Sequence, residues 1–176
     1  MIAAFGAAII GILAQVSIPL PFSPVPITGQ TFAIGLIVTI FGMKWGTISV
    51  IVYALLGAVG VPVFSKGASG LGVLLGPTGG YIIGFIPTAL IIGYYLHKTG
   101  FTFVHATIAN LIGMVVTLAF GTVWLQFVAE ISFAKAMALG TTPFIPLGIV
   151  KAIAAAWLGI VVRKRLMKEK LLPAYL

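Results

Sequence analysis

From Phe103 to Ala129 the chain reads FVHATIANLIGMVVTLAFGTVWLQFVA, a stretch without Asp, Glu, Lys or Arg. A helix needs roughly 20 apolar residues to cross the hydrocarbon core of a bilayer, and this run exceeds that length. It is continuously apolar, whereas an outer-membrane strand alternates apolar and polar residues over about ten positions. The stretch therefore predicts a membrane-spanning helix and argues against a barrel.

The rest of the chain repeats the pattern. Of its 176 residues, 61% are hydrophobic and 7% charged, against about 25% charged in an ordinary soluble domain. So few charges cannot cover a water-soluble globule, and the expected solvent is a lipid bilayer. Apolar runs interrupted by Gly, Pro and charge predict six helices in one domain, residues 1–176: Ile2 to Val16, Thr28 to Met43, Trp45 to Gly60, Thr78 to His97, Phe103 to Ala129, and Leu147 to about Lys168. Glu130 to Gly140 reads either as an interfacial helix or as a continuation of the fifth. The fold class is an all-α membrane protein, a six-transmembrane-helix bundle. No basic run precedes the first apolar stretch, so no cleaved signal peptide is expected, and the natural N-terminus is expected to be slightly longer.

The net charge of +8 is better used as a topology signal than for nucleic acid. With six spans, Lys44, Lys98, Arg163, Lys164, Arg165, Lys168 and Lys170 fall on the side of the termini, and Lys66 and Lys135 on the other. This bias predicts cytoplasmic termini in a cell membrane. The three outward loops, Ser17 to Ile27, Val61 to Pro77 and Ser132 to Pro146, are long and rich in Pro and Gly, while the inward turns are short. Irregular backbone at a membrane surface needs protein or water for its polar groups, so three such loops suggest a binding mouth.

The first loop carries Pro19, Pro21, Pro24 and Pro26, which forbid a continuous helix and leave an extended, stiff segment. It is either a pocket wall, with Phe22 and Gln30 as candidate contacts, or a rigid connector. The second loop offers Phe64 and Gly70. Gly79, Gly80 and Tyr81 stand at a helix start, where unpaired N–H groups could meet a ligand or where glycine could serve close packing. Lys151 is the most informative residue. An ammonium inside the apolar helix from Gly148 to Val162 is expensive and marks a functional site, with an anionic group or polarised carbonyl as its partner. Its bland reading is snorkelling to the interface. The chain has no Cys, two His and one acid, Glu130, ahead of its tail. That set makes no convincing metal site, nucleophile or proton relay, so no metal, cofactor or enzymatic activity is expected. Asn110 reads as an interhelical hydrogen bond that could also line a pocket.

Ile18-Pro19-Leu20-Pro21, Pro24-Val25-Pro26-Ile27-Thr28 with Gln30-Thr31-Phe32, Gly60-Val61-Pro62-Val63-Phe64, and Gly76-Pro77-Thr78-Gly79-Gly80-Tyr81 with Gly84-Phe85 together resemble the BioY family, the biotin-specific S components of energy-coupling factor (ECF) transporters. The resemblance covers nearly the whole chain. It implies the ECF S-component fold, with the vitamin held near the outer face beneath the three outward loops. It implies as partners a transmembrane coupling protein and two cytoplasmic ATPases, and toppling of the S component when they hydrolyse ATP. Ala3, Ala7 and Gly11 on the first helix form a small-residue stripe that could pack inside the bundle or against another protein; the resemblance implies that it is the docking face. The family commonly carries Pro-Gly-Asp-x-x-Lys at the sixth helix; here Pro146-Leu147-Gly148-Ile149-Val150-Lys151 keeps the lysine, with Gly148 where the acid would stand. The missing acceptor for ureido N–H groups leaves lipoate as the alternative to biotin.

Overall fold

The computed structural model describes residues 1–172. Helix α1 (Ile2–Ala14) leads into the strands β1 (Ser17–Leu20) and β2 (Ser23–Thr28). Then follow α2 (Gln30–Ala58), a 3-10 turn (Ser65–Gly67), α3 (Leu71–Leu75), α4 (Gly79–Thr99), α5 (Phe103–Val128), α6 (Phe133–Gly140), a second 3-10 turn and α7 (Ile145–Lys168).

Helix α2 is two rods. Residues eight apart on one helix lie about 12 Å from each other, yet a β-carbon on Gly46 would fall 2.8 Å from the Val38 α-carbon. The chain reverses at Gly42, whose φ of 71° and ψ of −172° lie where a residue with a β-carbon does not fit. Residues 30–41 and 43–58 therefore run antiparallel, as the predicted second and third helices do, with a single residue for their turn. The reversal frees the Ile40 carbonyl, and Arg163 caps it: its guanidinium donates to that oxygen and stacks 3.6 Å over the Phe101 ring. With α1, α4, α5 and α7 this gives the six-helix bundle.

Among the described residues, four helical runs are long and apolar enough to cross a membrane: Gln30–Ala58, Gly79–Thr99, Phe103–Val128 and the α6–α7 run Phe133–Lys168. Helix α1, at 13 residues, spans about 20 Å and is shorter than the hydrocarbon core. Val104, Val115 and Phe127 on α5 and Trp157 on α7 are exposed. Such an apolar belt is unstable in water and suits lipid. Inside, small residues bring rods close: Gly93 lies against Met43, Gly35 against Asn110, and Gly159 against Thr39.

The two ends of the bundle differ. One holds the Gly42 reversal, the short turn between α4 and α5, and the basic end of α7, so the seven cations assigned to one side do gather there. The other holds the three long loops. The first of these is not merely extended: β1 and β2 pair antiparallel, Ser17 with Thr28, Ile18 with Ile27 and Leu20 with Ser23. A two-stranded ribbon is all edge, so it tolerates prolines. Ser23 Oγ donates to the Leu139 carbonyl, Ser65 Oγ to Ser17 Oγ, and Trp124 Nε1 to the Gly76 carbonyl, which ties the loops together. The stretch after α5 is a separate helix, α6, because Glu130 turns the chain with a φ of 50° and Ser132 caps a new start at Lys135.

The stripe expected to dock a partner turns the other way. Ala7 is buried, Gly11 packs on Val63, and Ala3 is half-buried. The small residues that α1 leaves exposed are their neighbours Ala4 and Ala8. The reason is local: Gly6 and Ala7 meet the α2 hairpin, where a β-carbon on Gly6 would collide with Ser49.

Candidate ligand-binding site

A cavity of about 370 Å³ opens among the loops at the looped end of the bundle. Strand β2 forms one wall and the 59–78 loop another. Tyr81, Ile82 and Phe85 of α4 give it an aromatic and aliphatic side. Its floor is made by Met114 and Thr117 of α5 with Gly148 and Lys151 of α7. The size and the mostly apolar lining with a few polar groups suit a small organic molecule.

Lys151 is placed by the first turns of α7, which starts at Ile145 behind Pro146. Its Nζ donates to the Thr28 carbonyl at 2.7 Å. An ammonium has three protons to donate, and neither Glu130 nor Glu169 lines the cavity. The charge thus faces the cavity with a neutral carbonyl as its hydrogen-bond partner among the described residues. An oxygen-bearing ligand group would complete it.

Thr28 is itself held through its side chain by a chain of contacts. Thr28 Oγ1 donates to Gln30 Oε1 at 2.8 Å, and Gln30 Nε2 donates to the Tyr53 hydroxyl at 2.6 Å. Tyr53 is fully buried and meets Phe64 edge to face at 5.6 Å between centroids. Phe64 fits over Gly57, where a β-carbon would overlap its ring. One N–H and the oxygen of the Gln30 amide are engaged within the protein, where they support Thr28 at the cavity wall.

Of the residues singled out from the sequence, Lys151, Gln30, Phe64, Tyr81 and Gly148 line this cavity, and Phe22, Gly70, Gly79 and Gly80 do not. Phe22 sits exposed at the tip of the β1–β2 turn. Gly70 N–H donates to the Gly57 carbonyl at 2.7 Å, and Gly79 N–H to the Gly76 carbonyl at 3.0 Å. Gly79 is pressed on the Leu74 carbonyl and Gly80 on Trp124, so these two glycines serve close packing. Tyr81 lines the wall with its ring while its hydroxyl donates to the Gly140 carbonyl at 2.7 Å, a tie to α6.

Sequence reasoning missed Met114, Thr117, Phe85 and the Thr28 carbonyl. A β-carbon on Gly148 would lie 2.5 Å from Met114 Sδ, so the thioether occupies the space that a side chain at 148 would take. Beneath Met114 and Lys151 lies an annex of about 30 Å³, with Thr88, Thr117 and Asn110 on its walls. Asn110 donates to Thr39 Oγ1 at 3.2 Å and to the Ala106 carbonyl at 2.8 Å, as an interhelical hydrogen bond should, and lines the annex as well.

The BioY family model matches residues 1–168. A biotin transporter BioY2 from Lactococcus lactis subsp. cremoris is 39% identical over 89% of this chain and 85% of its own. A biotin transporter BioY from Thermotoga maritima is 38% identical over 89% of this chain and 90% of its own. One from Rhizobium etli is 37% identical over 98% and 94%. A crystal structure at 2.1 Å of the S-component for biotin from an ECF-type ABC transporter superposes with a TM-score of 0.86 at 34% identity, covering 92% of this chain and 88% of that one.

Proposed function

This chain belongs to the BioY family, and on that premise we propose that it is the substrate-binding S component of an ECF-type importer, with biotin as its cargo. It performs no chemistry of its own. The observation that carries the reading is the half-buried Lys151 ammonium on the floor of an apolar cavity of about 370 Å³, beneath the loops. Biotin offers what such a site lacks: a thioether ring and an aliphatic tail for the walls, and ureido and carboxylate oxygens for the ammonium.

The cavity opens among the loops, and Lys and Arg crowd the other end. By the positive-inside bias the loops face outward and the termini face the cytoplasm, so the site takes biotin from outside the cell membrane. A transmembrane coupling protein and two ATPases would supply the driving force, and toppling of the bundle would present the cavity inward. Lipoate is the second reading. It is favoured by Gly148 and Met114, which give the floor a thioether and no carboxylate, a surface suited to a ring of carbon and sulfur.

Isothermal titration of the purified protein with biotin and lipoate in parallel tests both. The expected result is tight binding of biotin and weak binding of lipoate. The reverse order gives the cavity to lipoate, and no heat from either removes the cargo assignment.

A further inference from the structure

A second cation lines the same cavity, and the reading above leaves it unused. Lys66 is exposed on the 59–78 loop and contributes to the cavity wall. Its backbone is left-handed, with φ 60° and ψ 30°, a conformation uncommon outside Gly, Asn and Asp. The other positive-φ residues of that loop, Gly60, Gly67 and Gly70, are glycines. At 66 alone the loop keeps a long cationic side chain in a strained conformation, and strain of this kind collects where a side chain is used.

The turn that carries it is held firmly. Gly67 N–H donates to Gln15 Oε1 at 2.9 Å, and Gln15 Nε2 donates back to the Phe64 carbonyl at 3.1 Å. Ser65 is bonded to Ser17. Lys66 thus leaves from a fixed point at the rim.

The two lysines sit in different solvents. Lys151 is half-buried within α7, whereas Lys66 stays in contact with water. Removing an ionised carboxylate from water costs far more than removing a neutral urea or amide. A ligand with a carboxylate at one end and a neutral polar ring at the other therefore gains most when the ring enters first. We infer that Lys66 is a ligand-contacting residue that pairs with the carboxylate at the mouth of the cavity, while Lys151 donates to the neutral head at its floor. The inference rests on the cargo reading and deepens it by giving the ligand an orientation.

The test is a titration cycle of wild type, Lys66→Asn and Lys151→Ala against biotin and its uncharged amide. Asn accepts the left-handed backbone, so the turn is kept while the charge goes; Lys66→Gly is the second variant, and melting curves check that each folds. Lys66→Asn weakens biotin by about fivefold, as expected for an exposed ion pair, and leaves the amide unchanged. Lys151→Ala weakens both. If Lys66→Asn weakens both ligands alike, or neither, the assignment is overturned. If wild type does not bind biotin, the cargo reading fails by itself, and the same cycle with lipoate and lipoamide decides the role of Lys66. Failure of all four ligands to bind overturns both.

Discussion

The two ends of this bundle solve opposite problems. At one, a single glycine reverses the α2 hairpin and a buried arginine caps the carbonyl that the reversal frees. At the other, the chain spends three long segments on a ribbon, short helices and 3-10 turns, and leaves a cavity of about 370 Å³ among them. At the first end small residues bring the rods into contact, Gly46 against Val38 and Gly93 against Met43. The second leaves an ammonium with a neutral partner and space beside it. Rigidity and binding are thus separated along the membrane normal, and variants at each end should affect different observables.

The largest effect is expected from Gly42→Val. A β-branched residue at φ 71° meets a conformation that costs about 3 kcal/mol, so the melting temperature in detergent should drop sharply while the folded fraction binds ligand normally. If affinity falls in that fraction, the ends are coupled more tightly than the contacts imply. Lys151→Ala should do the reverse. Loss of a charged hydrogen bond to ligand is worth about 2 kcal/mol, roughly thirtyfold in Kd, with melting unchanged or raised because a half-buried charge is gone. Affinity within about twofold of wild type would remove Lys151 from the site. Tyr53→Phe is the smallest. It removes the hydrogen bond to Gln30, a cost of about 1 kcal/mol in stability, with only a slight loss of affinity passed through Gln30 and Thr28. An affinity loss as large as that of Lys151→Ala would make Tyr53 part of the site and not a support behind it.

What the sequence made legible follows from where information is concentrated. The helices were readable because apolar length is a local property, and the break between the second and third was read at Lys44, two residues past the Gly42 reversal. Lys151 was readable because one charge in an apolar helix has few explanations. The strands were not, since proline-rich extended chain gives no sign that it pairs with itself. The partner of Lys151 was hidden because it is a backbone carbonyl, and every residue has one. Met114 was hidden because hydropathy alone names no inward face on α5; the face is marked instead by small and polar residues at helical spacing, Ala106, Asn110, Gly113, Thr117 and Gly121, all of them buried. Gly79 and Gly80 left two readings open, and close packing holds, because a helix start offers free N–H groups only if nothing covers it. Here the five-residue α3, invisible to composition, presses its Leu74 carbonyl on Gly79. Ala7 and Gly11 were open for the matching reason: small residues mark close approach without saying to what, and here they pack inside the bundle.

The one-residue turn at Gly42 has a consequence for how this chain can change over generations. An α-helix advances about 100° per residue, so inserting one residue beside Gly42 would rotate the second arm by more than a quarter turn. Tyr53 would swing away from Gln30, and Gly57 would no longer sit under Phe64. The spacing from Gln30 to Gly57 is therefore fixed to the residue, and insertions there should be absent from every working copy of the protein.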